Sequence, residues 1–138
     1  MAITMKVTPR QVFATARAIM ARPFAWGSAD CMTSACAVFH ALHGIDPLAS
    51  FQQTYSTLGE AMRILRDAGG YASWCRHTFD LPQTDSPDTG DLVLIRAGRP
   101  WGAALVICIV PGEYAGKAGT GVAVLRGEMK EAWTCPSY

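Results

Sequence analysis

At 138 residues the chain predicts a single domain over 1–138, large enough to bury its own core without disulfides or metals. Its 12 Lys and Arg against 11 Asp and Glu give a formal net charge of +1, with no basic block or acidic tail. Nucleic acid and anionic membrane surfaces are therefore excluded as expected partners.

Five cysteines (Cys31, Cys36, Cys75, Cys108 and Cys135) make an odd set without a CxxC pair. No disulfide framework is expected, and synthesis in a reducing compartment is the simpler reading. Met1–Lys6 lacks the apolar core of a signal peptide, so action outside the producing cell would need another route. The longest apolar run, Ala103–Val110, is too short to cross a bilayer and predicts a buried strand.

Thr8 caps and Pro9 opens a first helix, with Val12, Phe13, Ala16, Ile19 and Met20 on one stripe. Arg22-Pro23 ends it. Next comes Trp26-Gly27-Ser28-Ala29-Asp30-Cys31. A glycine turn leads into Asp30, a good N-cap, and Cys31 starts a second helix that runs to His43 and stops at Gly44. Cys31 shares the side of Met32, Ala35, Val38, Phe39 and Leu42, so its sulfur is expected to point toward the protein body. Asp46-Pro47 turns the chain, and 48–56 is an irregular connection. Thr57-Leu58-Gly59-Glu60 is a capping box, opening a third helix with Leu58, Ala61, Met62 and Leu65 on one face. Gly69-Gly70 closes it. Tyr71–Phe79 predicts a short fourth helix, and Pro82, Asp85, Pro87, Asp88 and Gly90 a polar, turn-rich crossing.

After Gly90 the periodicity changes. Asp91–Arg96 predicts a strand, Gly98–Gly102 a loop with Trp101 exposed to a protein contact, and Ala103–Val110 a central strand, apolar on both faces. Pro111-Gly112 turns the chain into a third strand, Tyr114–Lys117, and Gly119-Thr120-Gly121 leads to a fourth, Val122–Leu125. The glycines here read as hairpin turns and not as a phosphate loop. Glu128–Ala132 predicts one helical turn and Trp133–Cys135 an edge. Helices first and an antiparallel sheet second define an α+β class.

The chemistry centres on Cys31. A thiol on the first turn of a helix sits where the backbone dipole favours the thiolate, which makes it a candidate nucleophile. Asp30 opposes this unless its carboxylate is taken up in capping. A base is also required. His40 lies about 13 Å along the same helix and half a turn round, and His43 farther still, so neither reaches the thiol. His77 is the remaining candidate base, against its reading as a half-exposed polar residue before a loop. Cys36, His40 and His43 share one arc of the second helix, but no fourth ligand is evident, and no metal or cofactor is expected. Trp26 either flanks a groove leading to Cys31 or staples the loop as a core aromatic. Cys75, Cys108 and Cys135 read as small buried hydrophobes.

The order of these motifs is also that of a known family. A WGxxDC element at a helix start, further helices, then Gly90-Asp91 opening a strand and a hydrophobic hairpin resembles the NlpC-like branch of the papain-fold cysteine hydrolases. These cut peptide bonds in bacterial cell walls. Pro23-Phe24-Ala25-Trp26-Gly27, Gly69-Gly70 and Ala132-Trp133 resemble small phage-encoded and prophage-encoded relatives found among tail genes. The resemblance covers nearly the whole chain and implies a papain-like domain, N-terminal helices packed on a small antiparallel C-terminal sheet. It implies Cys31 as nucleophile and a base histidine opening the strand after the Gly-Asp strand. In this chain that position is matched by Ala104, with Ala103 beside it. A third polar residue on the next strand would be Tyr114 or Lys117, neither of the usual type. Loss of positioned acid–base help slows such chemistry by on the order of 10²–10⁴. The resemblance therefore implies a phage tail-tip or tail-assembly component, a virion protein made in the bacterial cytoplasm and partnered by other tail proteins, with catalysis weak or lost. Trp26 and Asp30 would be its binding-side residues. The alternative is an active cysteine peptidoglycan endopeptidase used during genome delivery, its base supplied by His77 or a neighbouring chain.

Overall fold

Among the described residues, 6–98 and 101–136, the computed structural model places four helices before five strands. The readings of Met1–Met5 and of Arg99-Pro100 in the loop fall outside those residues. Helix α1 (Pro9–Met20) opens with a reciprocal capping box between Thr8 and Gln11 and buries Val12, Ala16 and Met20. Helix α2 (Cys31–His43) is capped by Asp30 and ends at Gly44, whose φ of 74° gives the left-handed turn and whose N–H donates to the His40 carbonyl. Helix α3 (Leu58–Asp67) starts at the Thr57 cap. The Glu60 carboxylate reaches one residue farther back than the capping box predicts, accepting the Ser56 N–H at 3.0 Å. Gly69 N–H donates to Arg66 and Gly70 N–H to Leu65, the crossed pair of bonds that lets a helix end in a left-handed residue. Helix α4 (Tyr71–Thr78) follows at once and ends one residue short of the expected Phe79.

The inner stripe of α3 differs from the expected one. Ala61 is buried and Ile64 and Leu65 pack on the core, whereas Leu58 and Met62 are 39% and 44% exposed. Choosing Ile64 over Met62 turns the helix so that its i, i+3, i+4 row, Ala61, Ile64 and Leu65, meets the body of the protein.

Strands β1 (Leu92–Arg96), β2 (Ala103–Val110), β3 (Glu113–Lys117), β4 (Val122–Leu125) and β5 (Met129–Trp133) form one antiparallel sheet in the order β4-β3-β2-β1-β5. The apolar run β2 is central, as its two-sided hydrophobicity predicts. The expected helical turn at Glu128–Ala132 is instead β5, which pairs Leu92 with Trp133 and Val93 with Ala132. Strand β1 is buried at Leu92–Ile95, so the backbone groups on its second edge need partners out of water. Period-2 alternation in β5 meets that need while sending Trp133 and Ala132 to opposite faces.

The two faces of the sheet are distinct. Leu92, Leu94, Ala103, Leu105, Ile107, Ala115 and Trp133 pack with the helices. Val93, Ile95, Val106, Cys108, Tyr114 and Ala132 form the opposite cluster, with Ala104 against it. The chain is thus an α+β domain with α1 and α2 laid on one face of a small antiparallel sheet.

Candidate functional site

The loop before α2 is held by backbone pairing between Ala25 and Ala29. At its tip Gly27 has φ +85°, and a Cβ there would stand 1.9 Å from the Tyr55 carbonyl oxygen. Only glycine fits, for both backbone and space. Asp30, 3% exposed, gathers four donors on one carboxylate. Oδ1 accepts from Thr33 N–H at 2.8 Å and the Thr33 hydroxyl at 2.9 Å. Oδ2 accepts from Gly27 N–H at 2.9 Å and from the Tyr55 hydroxyl. One buried charge therefore joins the loop, the first turn of α2 and the 48–56 connection, and its hydrogen-bonding capacity is filled.

Cys31 is half-buried, its Sγ 3.8 Å from the Lys117 carbonyl oxygen. Burial raises its pKa above the ordinary 9.0, and the Asp30 carboxylate raises it further; the bond from its own backbone N–H and the Lys117 ammonium pull downward without prevailing. The helix-start position favours the thiolate, while desolvation and the neighbouring carboxylate act against it. Lys117 itself is buried. Its ammonium donates to the carbonyls of Met20 at 2.9 Å, Gly119 at 3.0 Å and Arg22. The side chain is thereby committed to closing the C-terminal end of α1 against the β3–β4 turn.

Above Cys31 lies a cavity of about 250 Å³, walled by aromatic side chains from four separate segments, among them Trp26, Phe51, Tyr55, Tyr71, Trp74 and Trp101. Ile64 and Leu65 of α3 and Ala103 and Ala104 of β2 complete much of the rest. Trp101, expected in the open, is half-buried. Its ring meets Trp26 edge-on at 6.5 Å and Tyr71 at 6.2 Å between centroids, and the apolar area so covered outweighs exposure in a loop. Trp26 lines the cavity and packs edge-on against the exposed Phe24 at 4.8 Å; it is half-buried and belongs to neither core cluster, so it stands at the groove and not in the core.

Cys31, Asp30 and Trp26 are thus brought together, and His77 is not. His77 is exposed, its Nδ1 3.4 Å from the Ser73 hydroxyl, and it faces a separate, polar concavity. His40 is exposed, and His43 Nε2 lies 2.8 Å from the Gly90 carbonyl oxygen. None of the three histidines is among the described residues that line the Cys31 cavity. Strand parity also refines the position matched to the family's base. The side chain turned to the helices is that of Ala103, while Ala104 packs with the opposite cluster. On β3 the same parity sends Tyr114 to the far face. The arc of Cys36, His40 and His43 is split: Cys36 is in the core, its Sγ 4.0 Å from the Met32 sulfur, and His40 is in solvent. Among the described residues no group of three or more His, Cys, Asp or Glu gathers as a metal site.

The aromatic wall is what motif reading missed. Phe51, Tyr55, Tyr71 and Trp101 share no period, so no pattern marks them; only the density of rings between residues 51 and 74 and in the Gly-Pro loop hints at it. Fold and site together define an α+β domain with a capped-helix cysteine beneath an apolar cavity. Residues 5–135 match the family described as Domain of unknown function (DUF6950), and the chain belongs to that family. Comparison with curated proteins gives no match.

Proposed function

We propose that this chain is a binding module built on the layout of the NlpC-like, papain-fold cysteine hydrolases, serving in a phage tail tip or in tail assembly, with catalysis weak or lost. One observation carries the reading: the cysteine opens a capped helix, as the resemblance expects of a nucleophile, and the strand beside its cavity turns the methyl group of Ala103 to that side where the resemblance expects a base. Hydrolysis through a thioester needs a thiolate to attack and an acid to protonate the leaving amine. Burial and the Asp30 carboxylate hold the Cys31 pKa above its ordinary value, and no imidazole is among the described residues of the cavity. The order of elements, with the cysteine at a helix start and a Gly-Asp strand opening an antiparallel sheet, supports the papain-like assignment. On this reading the partners are other tail proteins, and the protein passes from the bacterial cytoplasm into the virion.

The test pairs two assays. Purified protein incubated with cell-wall fragments between about pH 5 and 9, a span covering ordinary acid–base catalysis, is expected to leave them uncut. Phage carrying Cys31→Ser are expected to assemble and to contain the protein at the normal level. Wall cleavage that disappears with Cys31→Ser establishes the alternative, an active peptidoglycan endopeptidase, and overturns the proposal; so does absence of the protein from virions.

A further inference from the structure

We propose that the cavity above Cys31 is a recognition pocket for an uncharged aromatic group of side-chain size, with the cysteine forming part of its wall. The proposal rests on the reading of this site as one that binds. An apolar protein cavity of about 150 Å³ holds one benzene ring; this one, at about 250 Å³, takes a phenol or an indole. Its walls are rings set at steep angles to one another, 81° for both Trp26–Trp101 and Tyr71–Trp101, so a guest ring finds edges and faces to pack on that an aliphatic chain cannot use.

Charge points the same way. Asp30 is the single charged side chain among the described lining residues, and its carboxylate is already satisfied by Thr33, Gly27 and Tyr55. A carboxylate guest would leave water for a site whose described lining offers it no cation, which is strongly unfavourable. The rim carries Phe24, 39% exposed, and exposed Gly98, a shape that admits a ring projecting from a polypeptide or a free aromatic molecule.

Cys31 supplies its own probe. The wild-type chain is treated with benzyl methanethiosulfonate or with the anionic 2-sulfonatoethyl reagent, and the adduct on the Cys31 peptide is followed by mass spectrometry. Each rate is normalised to the urea-unfolded chain. The expected result is a preference for the benzyl reagent of about ten-fold, the scale set by burying one ring. Labelling is expected to slow when N-acetyl-tryptophanamide or indole is added. Stronger competition by the amide assigns a polypeptide side chain as the natural guest, and stronger competition by indole a free aromatic molecule. Ala61→Phe and, separately, Ile64→Phe fill the cavity from α3; whichever retains the wild-type circular dichroism is expected to lose both the preference and the competition. Equal or reversed reagent preference in the wild-type chain, or no protection by either competitor, overturns the pocket. Wall cleavage with the benzyl preference intact sinks the non-cutting reading and leaves the pocket standing, so the two failures are distinguishable.

Discussion

Burial is the main influence on the Cys31 thiol, and two buried charges beside it act in opposite directions. Asp30 sits beside the sulfur and raises its pKa, while Lys117 lowers it more weakly than burial and Asp30 raise it. The folded chain therefore holds the Cys31 proton to higher pH than the unfolded chain does. Stability from this group is fully present below the unfolded thiol value and is lost as pH rises through the folded one. The rate of iodoacetamide labelling at Cys31 is expected to be low at pH 7 and still climbing above pH 9; a plateau at or below pH 8 would show an activated thiolate. Lys117 carries a second prediction. Lys117→Met leaves the carbonyls of Met20, Arg22 and Gly119 without their shared donor, and urea denaturation is expected to show a loss of about 3 kcal/mol. At this scale the cap Asp30 was legible, because capping is a local code of a few residues. Its partner Tyr55 was not, because 25 residues separate the two and no motif links them.

Elements follow the same rule of locality. The bounds of α1, α2, β2 and β4 agree with the sequence reading because Thr8-Pro9, Asp30, Gly44 and the glycine turns act on their neighbours. The fate of Glu128–Ala132 depended instead on β1, a strand some distance back in the chain, whose open edge no local pattern reveals. Parity on β2 was equally hidden. With apolar residues on both faces, nothing in Ala103–Val110 says which alanine looks at the helices. The register now makes that distinction testable. Ala103→His is expected to place an imidazole in the Cys31 cavity and move the labelling profile of Cys31 to lower pH by about one unit or more. Ala104→His, on the opposite side of the strand, is expected to leave the profile where it is. The reverse result would restore Ala104 as the position facing the thiol.

At the scale of the molecule, the helical layer and the sheet meet in one continuous core that runs from Val12 and Phe39 through Leu105 to Trp133. A core shared by the helices and the sheet predicts that both melt in one transition. Trp133 is 1% exposed and packs edge-on against Phe79 at 5.3 Å, at the far end of the sheet from β4. Trp133→Ala is expected to lower stability by about 3–5 kcal/mol with far-ultraviolet and tryptophan signals still melting together. Separate melting of the two signals would mean that the helical and sheet halves are independent. Fold class was legible from the order of elements; the cavity was not, since its wall comes from segments that touch only in three dimensions.

The position of β5 has a bearing on how the protein is born. Strand β1 lies between β2 and β5, and β5 follows β1 to β4 in the chain. As the ribosome releases the chain, the hairpins of β1 to β4 can close early, yet one flank of β1 must wait for Trp133 to emerge. Until then a half-made molecule presents a bare, sticky ladder to whatever is nearby. Closing that flank of β1 is therefore a late docking step, and nascent chains stalled before it are the ones a chaperone would be called upon to shield.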